Sequence, residues 1–327
     1  MPDISLDEIE TKTATALTRH GAVPPVAESV ARAVRAAEAQ GNVICGLYYV
    51  ESYCLQLRSG RVKGTVEPKI SQPKPAVLTV DARLGFAQPA FDAGIAPALR
   101  VMERQGTVTL AIRGAHTCTS LGYFTRRLAE AGAIALGFTN ASAIVAPPGG
   151  RYRVLGTNPI AMHVPAPGGG IAFGFDQSTS AVALGKITMA KAAGEKIPPG
   201  WAVDAAGEPT TDPAAALAGS LVSTGGAKGW GFGLMAEVLA SALTDTAAST
   251  EVAGLKLPDG PPHNLGQTYL LIHPTAVAGD GFHSRIAALS EAVARDKEAR
   301  LPGARPKQMD PVAVPDALWD TVRRLAR

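Results

Sequence analysis

The sequence contains few cysteines and no strong excess of either charge. The 327 residues include three cysteines, at positions 45, 54 and 118, whose spacing fits neither a disulfide framework nor a metal site. The formal net charge is +3 without any long basic cluster, so neither nucleic acid nor a membrane surface is indicated as a partner. Apolar runs end well before membrane-spanning length, and the acidic start MPDISLDEIE lacks a signal-peptide core. We therefore expect a soluble cytoplasmic protein.

The common nucleotide and metal motifs are also missing. No G-x-G-x-x-G follows a strand in the early part of the chain, and no G-x-x-x-x-G-K-[ST] occurs. The glycine triplet in APAPGGGIAFGFD precedes a strand-like run instead of opening a helix. The six histidines are scattered without H-x-x-x-H spacing. The sequence thus argues against an ordinary Rossmann domain and against a metal site, while nucleotide binding by another fold stays open.

What the chain does contain is the pattern of a folded α/β protein. Apolar residues make up 46% and charged residues 18%, which is typical of a chain with a sizeable core. Helical patterns cover LDEIETKTATALTRHG and VAESVARAVRAAEAQG, and a third helix is expected over Leu47–Leu57. A last helix, in SRIAALSEAVARDKEAR, is expected to begin after Ser284 and to pack on the N-terminal helices.

Between these ends, strands and helices are expected to alternate from about residue 81 to residue 276. The strand-like runs are TVTLAI, AIALGFTN, AIVAP, IAFGFD and TYLLIHP. Helical patterns lie between them at 88–104, 123–132, 181–193 and 230–244. This alternation predicts the α/β class.

Polar and glycine-rich stretches stand at several of the predicted junctions. Asp176 follows the strand IAFGFD, and such a strand-to-helix junction can offer backbone donors to an anion, with the acid available for a ribose hydroxyl. The structural alternative is that Asp176 and Ser178 cap the next helix. Thr157 and Asn158 precede a proline and are typical of an ordinary turn. Lys228 lies among glycines at a helix start.

Five ordered blocks together resemble the type 2 malate/L-lactate dehydrogenase family over nearly the whole chain. The blocks are GTNPIA, FDQSTSAVALGKI, IPPGWAVDAAGEPTTDP, GGAKGWGFGLMAEVLA and LGQTYLLIHP. The family includes ureidoglycolate and sulfolactate dehydrogenases and the Δ1-piperideine-2-carboxylate and Δ1-pyrroline-2-carboxylate reductases. The resemblance implies a homodimer with a non-Rossmann NAD(P)-binding α/β domain, which we expect at 73–276. Beside it, residues 1–72 with 277–327 would form a helical domain built from both chain ends.

The resemblance also implies roles for individual residues. His116 falls where family members contact the nicotinamide side of the cofactor, and some members use a histidine here for proton transfer. Thr157 matches a position that contacts the substrate or its reacting group, and Asn158 stands beside it. The cofactor contacts implied in this way are His116, Thr117, Cys118, Thr119, Ser120, Asp176, Gln177, Ser178, Lys228, Gly303 and Arg305.

One stretch, VICGLYYV, departs from the family pattern. Many members carry Ser-His-Gly followed by an arginine, where the histidine moves a proton and the arginine holds the substrate carboxylate. In this chain Ile44 and Cys45 replace Ser-His, and Tyr49 stands at about the arginine position. Lys186 stands where the ketimine reductases have the aspartate of their relay. Cys45 and Tyr49 remain candidate catalytic and substrate-binding residues, but the usual proton donor is not transferred.

The leading hypothesis is an NAD(P)H-dependent reductase of a small carboxylated C=N substrate, a cyclic ketimine such as Δ1-pyrroline-2-carboxylate or Δ1-piperideine-2-carboxylate. A protonated imine needs only hydride, whereas a 2-oxo acid also needs a proton donor. NADPH is preferred to NADH by analogy with the ketimine reductases. One alternative is a 2-hydroxy-acid dehydrogenase of the malate, lactate or ureidoglycolate kind that uses His116 as base. The other is a catalytically silent NAD(P)-binding regulator.

Overall fold

A computed structural model of the chain describes residues 1–303 and 308–327. Helices α1 to α11 cover Leu6–Arg19, Pro24–Ala39, Val50–Ser59, Ala87–Gln105, Leu121–Glu130, Leu184–Ala193, Pro213–Ala218, Ala227–Glu237, Thr275–Ala278, Gly281–Ala294 and Asp316–Leu325. Strands β1 to β12 cover Asp3–Ile4, Lys69–Lys74, Val77–Asp81, Thr107–Ala115, Ile134–Thr139, Ile160–Pro165, Ile171–Gln177, Ala202–Val203, Pro209–Thr210, Ser220–Leu221, Leu265–Ile272 and Val312–Ala313.

A seven-stranded sheet forms the centre of the molecule, in the order β2-β3-β4-β11-β5-β6-β7. Only β3 and β4 run parallel, and the other neighbouring strands are antiparallel. Helices α4 and α5 cover the sheet with aromatic packing, since the ring of Phe91 lies 4.9 Å from Phe124 and 5.3 Å from Tyr269. Burying each of these rings contributes about 2–3 kcal/mol. The mixed sheet confirms the predicted α/β, non-Rossmann class.

A second core joins the two ends of the chain. Strand β1 pairs antiparallel with β12, and α11 packs on α1 and α3. Trp319 and Val322 of α11 are buried in the same cluster as Ile9 and Leu17 of α1. The amphipathic spacing of these residues explains why α11 lies here. This cluster is separate from the core of the central sheet, which supports the proposal of a helical domain beside an α/β domain.

The helix predicted after Ser284 differs from expectation. It begins at Gly281, and the Ser284 hydroxyl donates to the Gly281 carbonyl from inside the helix instead of capping it. This helix, α10, packs on α9 and keeps all its side chains at least partly exposed. The prediction that it packs on the N-terminal helices is wrong, because α11 fills that position. The C-terminal share of the helical core therefore starts near Val312.

Two strand predictions also change. The run AIVAP makes only isolated bridges, in which Val145 pairs with Leu155 and with Leu221. Conversely, Ile160–Pro165 forms β6 inside the sheet, although the Asn-Pro pair before it indicates a turn. Asn158 has a φ of 36°, but residues 156–159 form no regular turn, and the residues that follow are extended in β6.

Candidate functional site

A cavity of about 260 Å³ lies where the helical core meets the β7 edge of the sheet. Its lining residues come from the end of α2, the start of α5, strands β6 and β7 and the late segment that includes Gly303. They are Gln40, Asn42, Ser120, Gly122, Arg126, His163, Ile171, Gly174, Phe175, Asp176 and Gly303. We call this cavity the cleft. Of the predicted cofactor residues, Ser120, Asp176 and Gly303 are brought together here.

Asp176, at the end of β7, is held against the start of α5. Its Oδ2 accepts hydrogen bonds from the Gly122 amide at 2.7 Å and from the Ser120 hydroxyl at 3.2 Å. Residue 122 must be glycine for this contact, because a Cβ there would lie 2.7 Å from the Asp176 Cβ. Desolvation by the surrounding side chains raises the pKa of the Asp176 carboxyl, although these hydrogen bonds oppose the shift. Both bonds use Oδ2, which leaves Oδ1 for a ligand.

The alternative prediction, that Asp176 and Ser178 cap the helix that follows them, is wrong. The following helix, α6, begins at Leu184 with Ala183 as its N-cap, six or more residues away from either side chain. Asp176 instead satisfies a free amide of α5, which lies far from it in the sequence. The acid therefore links β7 to the HTCTS segment.

The stretches around Thr157, Asp176 and Lys228 form one continuous surface. The Thr179 amide and hydroxyl both donate to the Thr157 carbonyl, at 2.9 and 3.1 Å. The Thr224 amide donates to the Thr179 carbonyl at 2.9 Å. The three stretches are far apart in the sequence, so only the tertiary fold brings them together.

The start of α8 on this surface has the features of an anion site. Gly225 and Gly226 adopt φ of 61° and 65°, and a Cβ on either would meet nothing within 4 Å, so the backbone is open to a ligand. Lys228 is exposed in the first turn of the helix. Free amides and the helix dipole favour phosphate at such a position, and the lysine adds a charge. The residues present therefore fit the phosphates of a dinucleotide.

The far side of β7 is covered by the late segment that includes Gly303. The Gly174 amide donates to the Pro302 carbonyl at 2.8 Å, which ties this segment to the sheet edge beside the cleft. Arg305, the other predicted cofactor residue in this segment, lies outside the described residues.

His116 is enclosed between the two cores and does not reach the cleft. Its Nε2 lies 2.7 Å from the Gln56 Oε1, and its ring stacks on His263 at 4.0 Å between centroids. Because the Gln56 amide nitrogen donates to the Leu255 and Leu257 carbonyls, its oxygen is the acceptor and His116 Nε2 carries the proton. His116 is 2% exposed, so the prediction that it faces a bound ring does not hold in this conformation.

The neighbours of His116 divide between the core and the cleft. Thr117 and Cys118 are buried, and the Thr117 amide donates to His263 Nδ1 at 3.2 Å. Thr119 and Ser120 are half-buried, and Ser120 lines the cleft. Of the HTCTS segment, Ser120 therefore lines the cleft, while His116, Thr117 and Cys118 are buried.

We expect the stacked histidines to make the fold sensitive to acid. Burial lowers the pKa of His116 well below its usual value and that of His263 to about 3. Below pH 6.5 the unfolded chain binds protons that these folded-state rings reject, so stability falls as the pH decreases towards the folded-state pKa values. Each ring can contribute up to about 1.4 kcal/mol per pH unit. Urea unfolding at pH 7 and pH 5 should show a smaller loss for His263→Gln than for the unchanged protein, and equal losses would contradict this assignment.

The segment that departs from the family pattern lies between α2 and α3. Glu38 is buried, and its Oε1 accepts the Leu47 amide at 2.7 Å. This bond holds two 3₁₀ turns, Val43–Cys45 and Leu47–Tyr49, so α3 begins at Val50 instead of Leu47. Glu38 was missed from the sequence, although an acid on the apolar stripe of α2 is a signal for such a role.

These turns present Cys45 and Tyr49, both half-buried, beside the cleft. Burial, together with the nearby Asp176 carboxylate, raises the pKa of the Cys45 thiol to about 12, so it is neutral at physiological pH. Burial likewise raises the pKa of Tyr49, whose ring lies 5.6 Å from Tyr53. The residues that replace the family relay, Ile44, Cys45 and Lys186, lie close together. Ile44 lies near Gly185, and the exposed Lys186 is the residue after Gly185.

Asn158 is used inside the fold. Its side-chain nitrogen donates to the Gly233 carbonyl at 3.1 Å and to Glu237 Oε2 at 2.7 Å, and its oxygen accepts from the Ser249 hydroxyl at 3.3 Å. The residue is fully buried with φ of 36°. These bonds leave Asn158 no group for a substrate, so we reassign it as a structural residue, while Thr157 is half-buried at the same surface.

No helix in residues 1–303 and 308–327 combines the length and the apolar character needed to cross a membrane.

Fold and site define an α/β protein with a polar cleft at the edge of a mixed sheet. Residues 4–318 match the family described as Malate/L-lactate dehydrogenase. The chain belongs to this family, which confirms the resemblance drawn from the sequence blocks.

Several named relatives are similar over nearly their full length. The chain is 38% identical to (2R)-3-sulfolactate dehydrogenase (NADP(+)) of Chromohalobacter salexigens, covering 99% of this chain and 98% of that protein. It is 36% identical to Delta(1)-pyrroline-2-carboxylate reductase of Ancylobacter novellus, covering 98% and 97%. The crystal structure of delta1-piperideine-2-carboxylate reductase from Pseudomonas syringae pvar. tomato superposes with a TM-score of 0.92 at 32% identity, covering 99% of this chain and all of that one. These relatives are dehydrogenases or reductases, which confirms the predicted class of NAD(P)-dependent oxidoreductase.

Proposed function

We propose that the protein reduces a small cyclic ketimine carboxylate, of the Δ1-pyrroline-2-carboxylate or Δ1-piperideine-2-carboxylate kind, with NADPH. One observation carries this choice: no histidine or cysteine that lines or adjoins the described cleft could donate a proton near neutral pH. The pKa of Cys45 is about 12 because of burial, that of His163 is lowered to about 4, and His116 is enclosed. A carbonyl would need such a donor for the developing alkoxide, whereas an imine that enters protonated needs none.

Residues of the cleft and of the start of α8 fit the cofactor that this reaction requires. Lys228 and the open backbone at Gly225 and Gly226 would hold the phosphates, and Asp176 Oδ1 would accept a ribose hydroxyl. When bound, the dihydronicotinamide supplies a hydride. NADPH is preferred because a relative at 38% identity carries NADP(+) in its name.

The chain itself contributes binding and orientation more than proton transfer. The turns held by Glu38 set Cys45 and Tyr49 beside the cleft, and Thr157 is held by Thr179 near the start of α8. Holding a substrate carbon at a fixed distance and angle can supply much of the rate. The neutral thiol of Cys45 provides shape at the position where many relatives have a histidine.

The test is a steady-state assay of NADPH oxidation with Δ1-pyrroline-2-carboxylate, Δ1-piperideine-2-carboxylate and pyruvate. We expect turnover with the cyclic imines and a decrease on the alkaline side of the pH profile, where the imine loses its proton. A better rate with pyruvate would favour a 2-oxo acid reductase. Tight NADPH binding without turnover of any substrate would favour the regulator.

A second candidate has its own support. The relative at 38% identity is a sulfolactate dehydrogenase, so the corresponding 2-oxo acid with a sulfonate group belongs in the same assay. Turnover of that substrate above the imines would favour this activity.

We expect Cys45→Ser to keep most of the turnover number. A thiol with a pKa of about 12 is a poor acid near pH 7, so a hydroxyl of similar size should replace it without loss of a proton-transfer step. kcat with the preferred imine is the measurement, and Cys54→Ser, a buried thiol of the helical core, is the matched control. Loss of activity in Cys45→Ser alone would show that the thiol takes part in the chemistry.

We also propose that the protein works as a homodimer through α8. This helix buries Gly229, Gly233 and Ala236 and leaves its larger apolar side chains outside, the reverse of an ordinary surface helix. Phe232 of this helix and Val238, the residue just after its end, are each more than half exposed. Such an apolar face is typical of an interface. Val238→Glu should shift the protein to a monomer in light scattering at the same concentration, and an unchanged mass would argue against this face.

The three cysteines are free thiols, which agrees with the reducing cytoplasm as the proposed location.

A further inference from the structure

Lys256 lies on the loop before β11 and reaches back to the turn that holds Tyr49. Its Nζ is 3.1 Å from the ring centroid of Tyr48 and 5.1 Å from that of Tyr49. The same Nζ donates to the Tyr48 carbonyl at 3.1 Å. An ammonium over aromatic faces is attracted by the ring quadrupole, so these two rings set the position of the charge.

The ammonium of Lys256 is free to bind a ligand. It has three donors, of which the Tyr48 carbonyl uses one. Within residues 1–303 and 308–327 no carboxylate forms an ion pair with it. The nearest acid that influences it is Glu51, which itself lies 3.6 Å from Arg324.

The Lys256 ammonium lies beside Tyr49, which is close to the proposed substrate position next to Cys45. Tyr49 and Cys45 lie on the same pair of turns, and the Asp176 carboxylate is close enough to raise the pKa of Cys45. A positive group therefore stands on the Tyr49 side of this region and a negative group on the Asp176 side. The arrangement is complementary to a small molecule that carries a carboxylate at one end and a positive charge at the other.

We propose that Lys256 binds the carboxylate of the substrate and so selects monocarboxylates with a positive nitrogen over acids with a second anionic group. This inference rests on the proposed function, because it assigns the substrate to the region beside Cys45. A cyclic imine carboxylate that is protonated on nitrogen can place its carboxylate towards Lys256 and its positive nitrogen towards Asp176. A 2-oxo acid with a second carboxylate or a sulfonate would bring an anion towards Asp176, which is unfavourable in a partly desolvated site.

The experiment compares Lys256→Met and Lys256→Arg with the unchanged enzyme, using Δ1-pyrroline-2-carboxylate and NADPH. Lys256→Met should raise KM for the imine by about tenfold or more, as expected for loss of a charge-assisted hydrogen bond. The Kd for NADPH should stay within about twofold, because no cofactor contact is removed. Lys256→Arg should recover most of the affinity, and Lys297→Met, an exposed lysine beyond α10, is the matched control.

The pH dependence of KM gives a second readout that a structural role would not change. Burial lowers the pKa of Lys256 to about 8, while Glu51 opposes the shift. Burial raises the pKa of Tyr49, the other ring beneath the ammonium, so Tyr49 stays neutral near this pH. KM should therefore rise above pH 8 as the ammonium loses its proton, and Lys256→Arg should abolish this rise while the alkaline fall of kcat remains.

The outcomes separate the inference from the proposed function. An active enzyme whose KM is unchanged in Lys256→Met overturns the role of Lys256 and leaves the imine reductase proposal intact. If the unchanged enzyme turns over only a 2-oxo acid, the imine proposal fails, and the same KM comparison with that acid decides the role of Lys256. If it turns over no substrate, both proposals are wrong. A higher kcat/KM for a dianionic 2-oxo acid than for the imine would overturn the selectivity.

Discussion

Substituting Arg61 with alanine is expected to lower the free energy of unfolding by about 3–5 kcal/mol, the largest effect on stability that we expect from one side chain. Arg61 follows α3 and is 2% exposed. Its Nε donates to the Pro261 carbonyl at 3.0 Å, and its Nη1 donates to Gly254 and Leu257 at 3.1 and 2.6 Å. Removing the side chain deprives three carbonyls of a charged donor and opens a cavity.

Urea unfolding at pH 7 measures this effect. Arg61→Lys should recover only part of the loss, because a single ammonium cannot reach carbonyls that a planar guanidinium bonds in several directions. Arg58→Ala removes an exposed arginine one turn earlier and is the matched control. A loss below about 1 kcal/mol in Arg61→Ala would mean that desolvation of the guanidinium cancels its hydrogen bonds.

The same substitution should also affect the enzyme through the loop that Arg61 holds. Residues 254–261 carry Lys256, and Gln56 donates to two carbonyls of this loop. Loosening the loop should therefore raise the KM for substrate before the protein unfolds.

For cofactor binding, Asp176→Ala and Lys228→Ala are each expected to raise the Kd of NADPH by about 5- to 150-fold, equivalent to about 1–3 kcal/mol. Asp176 would lose a ribose contact and also its bond to the Gly122 amide, whereas Lys228 would lose only a phosphate contact. Fluorescence titration with NADPH measures both. Salt should weaken binding less in Lys228→Ala than in the unchanged protein, because one charge pair is gone.

Two exposed residues supply the controls for this experiment. Glu208→Ala and Lys297→Ala remove one charge of each sign away from the cleft. Asp176→Asn retains an oxygen that can accept the Gly122 amide, so it distinguishes the capping bond from the ribose contact. Unchanged NADPH affinity in both alanine variants, with an intact fold, would leave Asp176 as a helix cap and Lys228 as a surface residue.

The sequence alone determines the class of fold and the family. Periodicity locates α1, α2, α4 and β4 because apolar spacing reports directly which face of an element is buried. Five polar and glycine-rich blocks identify the family, since their order along the chain is itself a strong constraint. The absence of a dinucleotide fingerprint correctly excludes a Rossmann domain, as the mixed sheet confirms.

Only the tertiary structure decides which side chains of those blocks reach the cleft. His116 is turned away because Gln56, 60 positions earlier, accepts a hydrogen bond from its Nε2, and the Thr117 amide donates to His263, 146 positions later than Thr117. Asp176 binds the start of α5 instead of the next helix for the same reason. The local sequence pattern determines the direction of the backbone. A polar side chain that is shielded from water, however, turns towards whichever partner can complete its hydrogen bonds. Here those partners come from distant parts of the chain.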